Sequence, residues 1–186
     1  MIITISGRPG SGKSVVASRV AEELGLDHVS AGDFMREMAA ERGISILELS
    51  RAAEQRQDID REIDARTMRL ARERDNFVMD ARLGWHFIPD SIKVFLEVDP
   101  AVAARRIYEA QRGSEHENVT LEDTERAIAA RTESERKRYL EYYGLDYTDH
   151  GHYDLVVDTS NATIDEVVER IVDYVRARSG MSDPMR

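Results

Sequence analysis

The sequence predicts an α/β domain built on a five-stranded parallel sheet with helices on both faces. Short runs rich in β-branched residues alternate with longer segments whose apolar residues recur at helical spacing. The first run leads through a glycine-rich turn straight into a helix. The 186 residues are also near the size of one compact domain. Such alternation is typical of parallel sheets, which bind their ligands at the carboxyl ends of the strands.

Five runs are predicted as strands, with helices between them. The strands are expected at residues 2–5, 27–30, 76–80, 91–98 and 153–158. The first is followed by a helix whose apolar residues Val16, Val20 and Leu24 lie at helical spacing. Residues from about 34 to 74 contain almost no strand-forming runs, and we predict an all-helical insert there.

Capping signals set the boundaries of several helices. A Ser or Thr followed three positions later by an acidic residue is the pattern of a helix N-terminus. The pattern occurs at Ser45 with Glu48, at Thr120 with Asp123 and at Thr163 with Glu166. The helix that begins near Thr120 is long and highly charged, and Gly144 is its expected end.

Composition and charge narrow the class of protein. Hydrophobic residues make up 41% and charged residues 33% of the chain, which indicates a soluble globular protein. The net charge of −10 argues against a nucleic-acid or anionic-membrane partner, although a small phosphate ligand remains compatible with it. The absence of cysteine excludes disulfides and thiol catalysis. No signal peptide or membrane span is visible, so we expect a cytoplasmic protein.

The glycine-rich turn at residues 7–14 carries the first chemical signal. It fills the pattern Gly-x-x-x-x-Gly-Lys-Ser with the residues Gly7, Arg8, Pro9, Gly10, Ser11, Gly12, Lys13 and Ser14. Its backbone N–H groups and the following helix N-terminus favour phosphate oxygens. Lys13 would reach the outer phosphates, and Ser14 would ligate Mg²⁺, with Asp80 or Asp33 contacting its water shell. The sequence therefore predicts binding of a nucleoside triphosphate, with ATP and Mg²⁺ as the cofactors.

Two arginines are placed where a second anion would lie. Arg36 follows the second predicted strand, and Arg82 follows Asp80 at the end of the third. Guanidinium groups facing a phosphate loop would form a clamp for a second phosphate. The Asn-Lys-x-Asp segment that GTPases use to read their base is absent. These observations favour a kinase over a GTPase or a motor ATPase.

A lid is predicted from about residue 105 to 126. Arg105, Arg106 and Arg112 precede a polar break at residues 113–119, and such arginines could close over the donor nucleotide. We expect Arg105 and Arg112 to contact ATP. Residues 1–180 are predicted to form a single domain, and residues 181–186 a flexible tail.

Five segments carry a more specific pattern. They are Gly7 to Ser14; His28-Val29-Ser30-Ala31-Gly32-Asp33 with Arg36-Glu37-Met38-Ala39; Ile59-Asp60-Arg61-Glu62-Ile63-Asp64; Asp80-Ala81-Arg82-Leu83-Gly84-Trp85; and Arg131, Ser134, Glu135, Arg138 and Tyr139, with Tyr143-Gly144 shortly after. On these residues the chain resembles nucleoside monophosphate kinases, and more closely the short cytidylate kinases typical of archaea and some bacteria. The resemblance covers nearly all of residues 1–178.

The resemblance implies a P-loop kinase fold and transfer of the γ-phosphoryl group of ATP to a nucleoside monophosphate, with CMP first and dCMP or UMP next. The acceptor-binding residues that it implies are Gly32, Arg36, Asp60, Arg82, Arg131, Glu135 and Arg138. We expect Lys13, Arg82 and Arg131 to be catalytic. The spacing of Arg131, Glu135 and Arg138 puts all three on one face of a helix, which agrees with a shared role.

Two alternatives remain open at this point. The same scaffold serves adenylate, shikimate and dephospho-coenzyme A kinases, so the acceptor could be another small molecule. The chain could also be a regulatory protein that binds ATP and hydrolyses it slowly. Dependence of ATP loss on an added acceptor would separate the two. The acidic surface fits a monomer or a homodimer equally well.

Overall fold

The computed structural model of the protein describes residues 1–53, 55–111 and 120–180. The strands are β1 (Ile2–Gly7), β2 (Asp27–Ser30), β3 (Phe77–Asp80), β4 (Ile92–Glu97) and β5 (Leu155–Asp158). The helices are α1 (Lys13–Leu24), α2 (Ala31–Glu41), α3 (Ile46–Ala53), α4 (Gln57–Glu73), α5 (Gly84–Phe87), α6 (Pro100–Gln111), α7 (Leu121–Tyr143) and α8 (Ile164–Ser179). None of the helices within these ranges is long and apolar enough to cross a bilayer.

The five strands form one sheet in the order β2-β3-β1-β4-β5, and every neighbouring pair is parallel. β1 lies at the centre, where Ile5 is in register with Asp80 of β3 and Val94 of β4. The strand order reverses at β1, so the segments that follow β1 and β3 lie side by side. In an open parallel sheet this is the place where ligands bind.

Helices cover both faces of the sheet, as predicted. One face of β1 carries Ile3 and Ile5, which are buried against α1 and α8. The opposite face of β1 is polar, because Thr4 and Ser6 point that way and are also buried. The Ser6 hydroxyl donates a hydrogen bond to the carbonyl of Arg82 (2.9 Å), which fixes the backbone after β3 against β1.

The predicted helical insert contains α2, α3 and α4, and these helices share a small core of their own. Met38, Leu49 and Ile59, one from each helix, are fully buried together. On the outside, Arg66 of α4 forms ion pairs with Glu37 and Glu41 of α2. Packing and charge therefore bind the three helices into one unit beside β2 and β3.

The predicted helix caps are present. In each of the three capping patterns the first side chain accepts a hydrogen bond from the backbone N–H three residues later, and the acidic side chain accepts one from the backbone N–H of the first residue. Gly144 ends α7 in the left-handed conformation, with φ of 68°.

The main local differences from the sequence prediction lie at β1, β5 and α5. β1 extends to Gly7, because the first glycine of the motif still pairs with Leu96 of β4. β5 begins at Leu155 rather than at residue 153, since a single turn of 3₁₀ helix at His150–His152 precedes it. The short helix α5 was not predicted, because one turn is too short to show a helical period. The predicted polar break at residues 113–119, Arg112 and the tail at 181–186 lie outside the described residues.

The phosphate-loop turn packs directly against α6. Gly10 has φ of +79°, and a Cβ there would lie 2.7 Å from the Cβ of Ala103. Gly25 also has a left-handed backbone, with φ of +64°, but a Cβ there would meet open space.

We expect Gly10→Ala to lower the free energy of unfolding by about 2–4 kcal/mol, as the sum of left-handed strain and overpacking. Gly25→Ala should cost only the strain, about 1–2 kcal/mol. Urea unfolding of both variants measures the difference. Equal losses in the two variants would contradict a close contact between the loop and α6.

Candidate active site

The loop at residues 7–14 joins the centre of the sheet to the N-terminus of α1. The Arg8 N–H donates to the carbonyl of Leu96 (3.2 Å), and the Ser11 N–H donates to the carbonyl of Arg8 (3.2 Å). Gly12 caps α1 with a left-handed backbone, φ 80°, and has no side chain to satisfy the first N–H groups of the helix. These N–H groups and the helix dipole together make the turn suited to an anion.

Beside this loop lies a cavity of about 570 Å³, within the size range of small-ligand sites. It is bounded by α1, the ends of β2 and β3, the insert helices and α7. The predicted site residues that line it are Lys13, Ser14, Gly32, Asp60, Asp80, Arg82, Arg131, Glu135 and Arg138. The fold thus brings together residues from five separate parts of the sequence.

Lys13 and Asp80 form an ion pair on the floor of the cavity. The Asp80 side chain is 1% exposed and that of Lys13 is 15% exposed. Burial, and then the charge of Arg82, lower the pKa of the Lys13 ammonium, while contact with the Asp80 carboxylate favours its charged form. Lys13 therefore presents its ammonium group in a dry environment, where its charge acts strongly on a ligand.

Glu135 bridges two arginines. Its carboxylate accepts hydrogen bonds from Nε of Arg82 (2.9 Å) and from Nε of Arg131 (2.9 Å). Burial alone would raise the pKa of Glu135, but the two guanidinium groups outweigh it and lower the pKa to about 2. Arg82 also donates through Nη1 to the carbonyl of Gly7 (2.7 Å). The carboxylate thus holds two cations at the cavity, and one of them is tied to the phosphate loop.

Two further carboxylates project from α4. Asp60 lies 3.1 Å from Nε of Arg138 in a largely buried ion pair, with side chains 9% and 14% exposed. Asp64 accepts a hydrogen bond from the hydroxyl of Tyr143 on α7. Burial raises the pKa of the Asp64 carboxyl to about 6, and the negative charge of Asp60 adds to the shift, against the hydrogen bond from Tyr143.

The sequence pattern assigns no role to Asp64 or Tyr143, although both lie in segments that carry the family resemblance. Asp64 follows Asp60 by four residues, and Tyr143 follows Tyr139 by four, so each lies one helical turn beyond a cavity residue. That spacing is the sequence signal that places Asp64 and Tyr143 near the cavity. It does not show which tyrosine meets which aspartate.

The remaining predicted site residues lie at the rim or away from the cavity. Arg36 is 61% exposed and pairs with Asp33, and its guanidinium lies next to Gly32 at the cavity edge. Arg8 of the phosphate loop pairs with Glu97. The predicted phosphate-loop residues that do not line the cavity are Gly7, Arg8, Pro9, Gly10, Ser11 and Gly12.

The predicted lid arginines differ in their surroundings. Arg105 is exposed on α6, whereas its neighbour Arg106 donates to the carbonyl of Thr159 after β5 (2.6 Å). Arg112 lies outside the described residues. A role for Arg105 at the donor nucleotide remains a prediction.

The fold is the one found in P-loop kinases. Shikimate kinase from Bacteroides thetaiotaomicron matches it with a TM-score of 0.66, over 95% of this chain and 98% of that protein's chain. The sequence identity is 17%, so this likeness shows the fold alone. The predicted fold class is confirmed.

Sequence comparison assigns the chain more narrowly. The model of the cytidylate kinase-like family matches residues 2–161. The cytidylate kinase of Haloquadratum walsbyi is 38% identical in an alignment of 188 positions that covers 100% of this chain and 95% of that protein. The cytidylate kinase of Halobacterium salinarum is 40% identical over 185 residues, 98% of this chain and 93% of that protein. The chain therefore belongs to the cytidylate kinase-like family, and the predicted resemblance is confirmed.

The raised pKa of Asp64 makes stability depend on pH in a defined direction. Its folded-state pKa of about 6 exceeds its ordinary value of 3.8, so the unfolded chain gives up this proton first and stability falls as pH rises from about 4 to 6. Asp64→Asn removes the titrating carboxyl and with it this loss of stability. We expect the variant to gain about 1–2 kcal/mol over the parent across this range, allowing for solvent screening.

Urea unfolding at pH 4, 5, 6 and 7 measures this gain. Asp58→Asn is the matched control, because Asp58 lies on the same helix but is exposed and outside the cavity. Its pH dependence should parallel that of the parent over this range. If the free energies of unfolding of Asp64→Asn and the parent change in parallel with pH, the raised pKa of Asp64 is contradicted.

Proposed function

We propose that this kinase transfers the γ-phosphoryl group of ATP to a pyrimidine nucleoside monophosphate, CMP or dCMP, giving the diphosphate and ADP. The chain belongs to the cytidylate kinase-like family, and one observation carries the proposal. The last two residues of the phosphate loop, Lys13 and Ser14, line the same cavity as a second group of cations, Arg82 and Arg131. A triphosphate requires the first, and a phosphorylated acceptor requires the second.

The donor phosphates would bind at the loop. The N–H groups of residues 7–14 and the Lys13 ammonium would hold the phosphate oxygens. These donor groups are in position before the reaction begins. Lys13 would move from Asp80 towards the outer phosphate, where negative charge must be stabilised during transfer. Its dry surroundings strengthen that interaction.

The residues present fit a magnesium ion shared with phosphate. The Ser14 hydroxyl and the Asp80 carboxylate both line the cavity. In the described part of the chain no three His, Cys, Asp or Glu side chains cluster as a metal site. Mg²⁺ commonly uses one or two protein ligands together with waters and phosphate oxygens. When bound, it would neutralise charge on the donor phosphates.

The acceptor phosphate would bind between Arg82 and Arg131. Glu135 keeps both guanidinium groups in place and leaves other N–H groups of each free to meet phosphate oxygens, since each donates only its Nε to this carboxylate. Arg36, at the rim beside Gly32, would swing inward to a third oxygen. Asp60 and Arg138 would line the nucleoside side of the cavity. Little covalent chemistry is required of the protein, because transfer depends mainly on alignment and charge.

The assay that tests the proposal follows ADP release from Mg·ATP with CMP, dCMP, UMP, AMP, GMP, TMP, shikimate or dephospho-coenzyme A. We expect CMP and dCMP to give the highest kcat/KM. A different preferred acceptor would retain the kinase and overturn the pyrimidine assignment. ATP binding without stimulation by any acceptor would favour the regulatory alternative.

Replacing the loop lysine tests the mechanism. We expect Lys13→Ala to lower kcat with CMP by about 10²–10³-fold or more, the loss typical of removing one preorganised transition-state donor. Arg19→Ala is the matched control, because Arg19 is a cation of the same helix that pairs with exposed Asp165 instead. Its turnover should equal that of the parent. Near-parent turnover in a folded Lys13→Ala variant would contradict the whole mechanism.

A further inference from the structure

The two sides of the cavity differ in charge. Near the ends of the strands it presents the cations Lys13, Arg82 and Arg131. The α4 side presents Asp60, Ile63, Asp64 and Thr67, which fall on one face of the helix. A nucleoside monophosphate has the complementary polarity, with an anionic phosphate at one end and a base at the other. The base would therefore lie towards α4.

Four carboxylates line the cavity, and three of them are neutralised by cations. Asp80 pairs with Lys13. Glu135 pairs with Arg82 and Arg131. Asp60 pairs with Arg138. The fourth is Asp64, and within the described ranges it has no cationic partner.

The contacts of Asp64 leave one oxygen open to a ligand. The Tyr143 hydroxyl donates to Oδ2, and none of the hydrogen bonds of the described residues uses Oδ1. The Tyr143 ring packs edge-on against Phe87, with centroids 5.8 Å apart, and Phe87 itself lines the cavity. The carboxyl is therefore held in a fixed position beside an aromatic wall against which a base can lie.

We propose that Asp64 contacts the amino edge of the acceptor base and so selects CMP over UMP. Cytosine presents an N4 amino donor at the position where the closely similar uracil ring presents the O4 acceptor. The free carboxylate oxygen accepts a hydrogen bond from N4 of cytosine. With uracil, the same oxygen faces O4, and two acceptors then repel each other. A site built to bond a particular donor rejects the analogue that lacks it. Tyr143 acts as a positioning residue for this carboxylate. The inference rests on the proposed function.

Replacing Asp64 by its amide tests the selection directly. An Asn at this position can donate its N–H to O4 or accept from N4, so it no longer distinguishes the two bases. We expect Asp64→Asn to lower the ratio of kcat/KM for CMP to that for UMP at least tenfold. The change should appear as a higher KM for CMP and a lower KM for UMP.

Three further variants separate a role of Asp64 in base selection from a role in the stability of the fold. Asp58→Asn makes the same change of charge on an exposed position of α4 and should keep the parent ratio. Tyr143→Phe should lower the ratio by a smaller factor, through the KM for CMP, with kcat unchanged. Asp64→Ser provides a second neutral replacement and should also lose the preference. Thermal unfolding of each variant shows that the comparison is made on folded protein.

The outcomes distinguish this inference from the proposed function. If the parent prefers CMP but folded Asp64→Asn and Asp64→Ser keep the same CMP to UMP ratio, the role of Asp64 is overturned while the kinase assignment stands. Equal use of CMP and UMP by the parent also overturns the inference alone. A parent enzyme that phosphorylates neither pyrimidine monophosphate overturns the proposed function and this inference with it.

Discussion

A buried ion pair between Arg82 and Glu135 connects the parts of the molecule that form the site. Arg82 follows β3, Glu135 lies on α7, and Arg82 also donates to the carbonyl of Gly7 at the end of β1. Both side chains are at most 15% exposed. Burying two charges costs several kcal/mol per ion unless each is paired and hydrogen-bonded. These contacts offset that cost and at the same time hold the sheet, α7 and the phosphate loop in one arrangement.

The same arrangement makes the cavity ready for phosphate. Cations that pair with carboxylates inside the protein stay in place without a ligand, so little reorganisation is needed when phosphate oxygens arrive. The insert is stabilised separately, because its three helices share their own core and their own surface ion pairs. In the proposed function, the sheet edge would supply the phosphate chemistry, and residues of the insert and α7 would decide which acceptor fits.

Much of the fold could be predicted because its signals are local. Strand runs, helical spacing, capping pairs and the glycine-rich loop each involve residues a few positions apart, and backbone geometry and hydrogen bonding act over that range. Ser45 with Glu48 is an example, since both hydrogen bonds of the cap are within four residues. The single turn of α5 was missed because four residues carry no period. Site residues such as Lys13 and Arg82 could be named because parallel strands bring their carboxyl ends to one edge.

The sequence by itself therefore determined the fold class, the family, the phosphate loop and every charged residue that lines the cavity except Asp64. Only the tertiary structure decided how those residues pair. Arg82 meets Glu135 across 53 positions of sequence, and Tyr143 meets Asp64 across 79. It also placed Arg36 at the rim, paired with Asp33, rather than inside. The physical reason is that side-chain charges act through short distances in space, and packing of α4 and α7 around the sheet sets those distances independently of local sequence pattern.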